Sequence, residues 1–417
     1  MRRCHKNSVR KNEQGLIITL VAIFMLGVVG AMAALSIDVV TFYTARSEAQ
    51  LAADAGALAG ARVLANSGMT SYDNLASGAA TSCQTIAKLV AQSNQVGGQA
   101  PTVLSATCNV TSQNNPTVTV KVQATLPTFF ARIWGTTQVT VSAAATAEAY
   151  NPQGLGAGAA PVAAACVKPL LFPNTDPSNG NNPIFDPSSG EIQSGSKLLG
   201  SQQTLSSTSP WAYTAGDTYS TVNPSFPPPA ASSVTCGTSA ATFNTFQLSV
   251  AGCVQTPIAC NATSVNTISY SADYGPNFDP DTQAAVNCLT HSTNSHGDTI
   301  VATSYPPPAP FEFVAGADNP IVKAGALSSE TDILVSDSLV TVPVYNSLAG
   351  NSATLVGFAQ LFLNPDGNPS PEGTPPGIQA TVVNLVGCGT GATGTPVYGN
   401  GPSAVPVRLI TPAPPTS

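Results

Sequence analysis

The chain has 417 residues, a formal net charge of −7 and only 8% charged residues, against about 25% in ordinary soluble domains. Five of the 14 basic residues (Arg2, Arg3, Lys6, Arg10 and Lys11) fall in the first 11 positions. The remainder is acidic and has no basic stripe to neutralise phosphates, which argues against nucleic-acid binding. Ser, Thr, Asn, Gln, Gly and Pro stand where a cytosolic enzyme would carry charge, as on exported β-rich proteins.

The basic tail, residues 1–14, leads into an uncharged run. Gly15–Ile37 is 23 residues long and twelve of them are Leu, Ile, Val or Phe. As a helix it would measure about 34 Å, enough to span a bilayer. With basic residues before it and Asp38 after it, the positive-inside rule puts the N-terminus in the cytoplasm and residues 38–417 outside. Ala31-Met32-Ala33 resembles a signal-peptidase site. The apolar run continues past it to Ile37, so a retained anchor is the expectation. Within the span, Gly27 and Ala31, and Gly30 and Ala34, are small residues four apart, a spacing that lets two helix backbones approach closely. Small residues are also simply common in membrane helices.

Residues 38–64 contain no proline and are dominated by alanine. Ala45, Ala49, Ala53, Ala57 and Ala61 recur at every fourth position and so share one helix face. Ala52, Gly56 and Gly60 form the adjacent row. Alanine alone could reflect helix propensity. Glycine weakens a helix and needs another reason, which points to close packing at Ala49, Ala53, Gly56, Ala57 and Gly60. Joined to the span, this predicts a helix of roughly 50 residues, about 75 Å long.

These residues carry a family resemblance. Gln14-Gly15, the apolar run, Asp38-Val39, Tyr43-x-Ala45-Arg46 and Gln50-x-Ala52-Ala53-Asp54-Ala55-x-Ala57-Leu58-Ala59-x-Ala61 resemble the N-terminal domain of TadG-like proteins of the Flp (Tad) pilus assembly system. A second stretch, Pro127-Thr-Phe-Phe-Ala-Arg132 with Gly135 and Val139-Thr-Val-Ser-Ala-Ala-Ala-Thr-Ala147, is similar too. The resemblance implies an anchored accessory protein whose helix meets other pilus-assembly or pilin-like helices in the membrane. Pilins cleaved by prepilin peptidase usually carry Glu five residues after the cleaved Gly. Here that position is Leu20, so processing and incorporation into a filament are not expected.

The fold class expected is α+β: the long helix, a small membrane-proximal α+β module within 38–150, a linker at 151–160, and a loop-rich, mainly antiparallel β domain over 161–417. Residues 65–100 read as mostly helical, with Ile86, Leu89 and Val90 on the apolar side. Strands are expected at 101–110, 117–126 and near 137–142; Val118, Val120 and Val122 alternate with Thr119 and Lys121. Of 35 prolines, 32 lie in 151–417. Strands are expected there at 245–251, 298–304, 331–335, 339–345, 353–363 and 377–387, with a hairpin connection over Asn346–Asn351. No long helical period follows residue 170. Residues 171–240 are so rich in Ser, Pro and Asn that part of them is expected to be weakly ordered.

Eight cysteines follow the apolar run, an even number in an exported region, which suggests disulfides. Cys4, in the basic tail, should stay reduced. The sequence-local pairs Cys83–Cys108 and Cys253–Cys260 are the candidates.

Catalytic and metal chemistry is thin. His291, His296 and Asp298 could meet a metal, but a five-residue His spacing fits no familiar arrangement, and a surface loop is the simpler reading. Ser194-x-x-Lys197 matches a serine–lysine signature but lacks its supporting elements. Asp176-x-Ser178-x-Gly180 and Asp186-x-Ser188-Ser189 read as Asx turns rather than calcium loops. No enzyme activity, cofactor, metal or small-molecule substrate is assigned. The expectation is a single-pass envelope protein that supports pilus assembly or anchoring, with a surface adhesin or binding module sharing the same anchor as the alternative.

Overall fold

The structure, a computed structural model, describes residues 10–71, 77–110, 115–152, 160–193, 198–206, 230, 233–234, 236, 242–255, 257–260, 263–264, 280–294, 296–301, 311–349, 352–370, 377–388, 396–398 and 404–410. The α+β class is what it shows. Helix α1 (Arg10–Ala65) is followed by α2 (Ser77–Ser93) and three long strands, β1 (Thr102–Asn109), β2 (Thr117–Pro127) and β3 (Gln138–Ala149). Short strands come next: β4 (Val162–Ala164), β5 (Phe172–Pro173) and β6 (Gln202–Leu205). They lead to α3 (Thr245–Ala251), β7 (Ile258–Ala259), β8 (Thr263–Ser264) and α4 (Pro280–Leu289). The rest is β9 (Thr299–Val301), β10 (Glu312–Val314), the single turn α5 (Pro320–Lys323), β11 (Asp332–Ile333), β12 (Leu339–Ala349), β13 (Ser352–Leu363), β14 (Ile378–Gly387), β15 (Val397–Tyr398) and β16 (Val407–Ile410).

Two compact units divide these elements. One comprises residues 1–56, 88–105 and 120–145; the other comprises 57–87, 106–119 and 146–417.

In the first unit, the strands run beside α1. The Gln50 side chain donates to the Ala144 carbonyl on β3 at 3.3 Å, and the Gly97 N–H donates to the Glu48 carboxylate at 2.7 Å.

The second unit is built on an antiparallel sheet. Its order is β5-β12-β13-β14-β6, with β8 pairing the far end of β13; the one parallel contact joins β5 and β12. Alternation sorts its side chains into two cores. Val340, Val342 and Val344 of β12 join Phe246 and Val250 of α3, Ala285 and Val286 of α4, and Phe172, Ile184 and Phe185. On the opposite face Leu339, Phe362 and Val383 pack with Ile300, Phe311 and Phe313; the rings of Phe313 and Phe362 stack at 5.4 Å. With both faces covered, β14 is buried at nearly every position. Gly357 is required in β13: a Cβ there would lie 2.7 Å from both the Phe185 ring and the Val386 carbonyl.

Polar side chains stitch the end of α1 to this sheet. Asn384 of β14 donates to the Ala65 carbonyl and accepts from Thr70 and Ser71. Asn151 donates to the carbonyls of Thr70 and Leu385, at 2.9 and 3.0 Å. These groups are buried, and leaving one without its partner would cost about 1–3 kcal/mol.

One expected strand is a helix. Residues 245–251 form α3 because Asn244 and Gln247 make a reciprocal capping box: each side chain bonds the other's backbone N–H at 2.9 Å. Phe246 and Val250, four apart, then point together into the core. The hairpin is tighter than expected, since β12 continues through the anticipated connection and Ala349 pairs with Ser352. Its two connecting residues, most of the 151–160 linker and much of 207–240 lie outside the described residues.

Candidate functional site: the anchor helix, its loop clasp and a buried lysine

Helix α1 has two characters along one unbroken length of 56 residues. From Leu16 to Ile37 its large apolar side chains face outward. Among the described residues this is the one helix long and apolar enough to cross a membrane, with a mean hydropathy of 2.7 in its most apolar window. Gly27 and Gly30 belong to this half; a Cβ at either would meet nothing within 4 Å. Ala31 and Ala34 are partly covered.

The second half is different. Ala49, Ala53, Gly56, Ala57 and Gly60 are all buried within this chain. At Gly60 a Cβ would stand 2.9 Å from Val118, 3.1 Å from Ala87 and 3.3 Å from the Cys83 sulfur. The small-residue face past the span is therefore filled by the protein's own β2 and α2 at that level. Within the span, by contrast, Gly27 and Gly30 are open.

At the junction of the two halves sits Asp38, only 1% exposed. Its carboxylate accepts from three consecutive backbone N–H groups, Phe129 at 2.9 Å, Phe130 at 3.0 Å and Ala131 at 2.7 Å. The connection between β2 and β3 is thus clasped to the helix just where the apolar run ends. The Arg132 charge acts on the same carboxylate, and the Arg132 Nε donates to the Thr128 carbonyl at 3.0 Å. Sequence reading saw Asp38 only as the charged flank of the span. The signal that paired it with 127–132 was that both stretches carried the same family resemblance.

Four disulfides join the eight cysteines that follow the apolar run: Cys83–Cys108, Cys166–Cys253, Cys236–Cys288 and Cys260–Cys388. The local pair Cys253–Cys260 is not formed. The chain on either side of β4 keeps them apart: Val254 accepts from the Cys166 N–H, Ile258 and Ala259 pair with Ala164 and Ala163, and the Cys260 N–H donates to Val162. Cys253 and Cys260 thus flank opposite ends of β4, and each bonds a different partner.

Lys168 is a site that sequence reading missed. Its side chain is fully buried, and its ammonium donates to the Gly252 carbonyl. It borders a cavity of about 420 Å³ whose walls include Cys166, Cys253, His291 and Asp337. Burial pushes the Lys168 pKa down to about 8, against the opposing pull of Asp337. His291 Nε2 and an Asp337 oxygen sit 2.9 Å apart at the cavity. The wall thus carries a lysine ammonium, an imidazole and a carboxylate. No nucleophile with an adjacent general base is aligned there among the described residues.

The residues weighed for metal chemistry are not brought together. Asp298 is taken up by the Gly316 N–H at 2.9 Å, the Asn319 amide and the Ser336 hydroxyl at 2.6 Å. His296 lies 3.9 Å from Asp318 instead. Asp176 and Asp186 form Asx turns, each bonding the backbone two residues on, at 2.8 and 2.7 Å. The Ser188 hydroxyl and the backbone N–H groups of Ser188 and Ser189 hold the Asp186 carboxyl below its ordinary pKa. Ser194 and Lys197 lie outside the described residues.

An exposed apolar half-helix that continues, unbroken, into a packed half is the pattern of a membrane-anchored protein, with one candidate span among the described residues. Residues 16–63 match the model of the family described as putative Flp pilus-assembly TadE/G-like, so the anchor and the small-residue half of α1 are Tad-related. No curated protein and no solved structure matches the chain.

Proposed function

We propose that this protein supports assembly or anchoring of a Flp/Tad-type pilus from the cell envelope, as a structural component rather than a catalyst. The observation that carries this reading is the coincidence of the family match, residues 16–63, with the helix that holds both the span and the packed extramembrane segment. In this reading the basic tail lies in the cytoplasm and residues 38–417 lie outside, as the charge asymmetry favours. The disulfides support an oxidising compartment for that part. The same reading keeps the anchor uncleaved, which the continuity of the helix through Ala31-Met32-Ala33 supports. Partner helices of the assembly meet the protein within the span, through Gly27, Gly30, Ala31 and Ala34.

The test is pilus display in a strain that makes Flp pili. The gene is deleted, the cells are sheared, and surface pilin is compared with total pilin. Loss of surface pilin with cellular pilin retained is the expected result. Unchanged surface pilin would reject the assembly role and leave an anchored binding module, with the Lys168 cavity as the first place to look for a ligand.

A further inference from the structure

The connection between β2 and β3 carries three large apolar side chains that are mostly exposed. Ile133 is 72% exposed, Trp134 62% and Phe129 59%. They stand close together in the sequence, and two of them lie in the short turn Ala131–Trp134, closed by Gly135 in the left-handed region. A soluble surface rarely gathers three such side chains in so short a loop without a use for them.

Their position supplies the use. The loop is bonded through three N–H groups to Asp38, the first charged residue after the apolar run. Farther along the same helix, Gln50 meets Ala144 on β3. The β2–β3 hairpin therefore lies along α1 with its connection at the end nearer the span. At this level of the helix Leu35, Ile37, Val39 and Val40 are also exposed, and Tyr43 follows about one and a half turns on. Aromatic side chains are enriched where a membrane protein passes from hydrocarbon to headgroups, since their rings tolerate both.

We propose that the 128–135 loop is a second membrane contact, in which Phe129, Ile133 and Trp134 enter the headgroup layer of the bilayer that α1 crosses. The inference rests on the reading of α1 as a retained membrane anchor. A lone helix leaves the body free to tilt and rotate about its axis. An interfacial loop clasped to that helix restricts both motions, because anchors of this kind set tilt and rotation. Asp38 is then a positioning residue: it holds the loop at the depth where its apolar side chains reach lipid.

The test uses the full chain reconstituted at low density in phosphatidylcholine–phosphatidylglycerol vesicles. The chain has two tryptophans, so Trp211→Phe leaves Trp134 as the single reporter. If that variant folds poorly, the difference between wild type and Trp134→Phe isolates the same signal. Vesicles carry a spin label either near the headgroup or deep in the acyl chains. Alkaline carbonate washing reports separately whether the anchor is in the bilayer. The expected result is a chain that resists washing, with Trp134 emission blue-shifted, quenched more by the shallow label than by the deep one, and protected from aqueous iodide. If the chain resists washing while iodide quenches Trp134 and neither lipid label does, the loop contact is wrong and the anchor stands. Protection from iodide and lipid labels alike, in a chain that self-associates, would assign the loop to a second copy and also overturn the proposal. If the chain washes off, the anchor reading fails and the proposal fails with it.

Discussion

Lys168 gives the sharpest quantitative test of the second unit. An ordinary lysine titrates at 10.5, and burial lowers this one to about 8. At about 1.36 kcal/mol per tenfold change in proton affinity, the native state disfavours the charged form by roughly 3 kcal/mol. The sign follows from the proton count. Below pH 8 both native and unfolded chains bind the proton, so the full penalty is present. Between pH 8 and 10.5 the unfolded chain holds a proton that the native chain has lost, so stability rises with pH. From pH 7 to pH 9.5 the contribution is about 2 kcal/mol. The assay is urea unfolding of the full chain in detergent at the two pH values, with Cys4→Ser to prevent a free thiolate from exchanging with the disulfides. Lys168→Met should abolish this increment, so wild type gains about 2 kcal/mol more than the variant on going to pH 9.5. The offset at pH 7 is a poorer measure, because Met also leaves the Gly252 carbonyl without its donor, at a cost of about 1–3 kcal/mol. Equal pH responses in the two proteins would refute the buried, depressed lysine.

Three further outcomes follow from the geometry. Gly60→Leu should destabilise the fold by about 1–3 kcal/mol or more through overpacking against Val118 and Ala87, whereas Gly30→Leu should leave the unfolding midpoint unchanged; equal midpoints would mean Gly60 is not enclosed. Non-reducing digestion and mass spectrometry should recover cross-linked peptides joining Cys166 to Cys253 and Cys260 to Cys388, and a Cys253–Cys260 peptide would contradict the β4–β7 pairing. A membrane-impermeant maleimide should label Cys4 in inside-out vesicles and not in intact spheroplasts; the reverse pattern would invert the proposed orientation.

Elements whose periodicity matched their burial were readable from the chain alone. Val118, Val120 and Val122 alternate because β2 is half covered, and all three are buried. The alanine ladder was readable as a packed face, but not what it packs against, since composition does not distinguish a neighbour within the chain from another protein. Residues 245–251 read as a strand on their apolar residues but form helix α3; Asn244-x-x-Gln247, a capping box, was the local helix-start signal that outweighed them. The cysteine partners were not legible beyond Cys83 and Cys108. Those two sit in consecutive elements, whereas Cys260 and Cys388 are 128 residues apart and meet only through the sheet order. Lys168 escaped notice because a lone lysine looks like surface until the strands around it are placed.

The family match ends near residue 63, and residues well beyond it bond to the end of the same helix. The last turn of α1 does not fray into a linker: Ala65, Thr70 and Ser71 are bonded into β14 through Asn384 and Asn151, both buried. Closing such a network commits the helix end and the sheet to one arrangement, because every member lost leaves another buried polar group unmatched. At the other end of the extramembrane stretch, Asp38 fixes the β2–β3 loop to the first turn beyond the apolar run. The helix between these points buries its alanines and glycines within the protein instead of offering them outward. The small residues of α1 that remain open are Gly27 and Gly30, with the partly covered Ala31 and Ala34 beside them, and the proposed contacts with partner helices fall on these four.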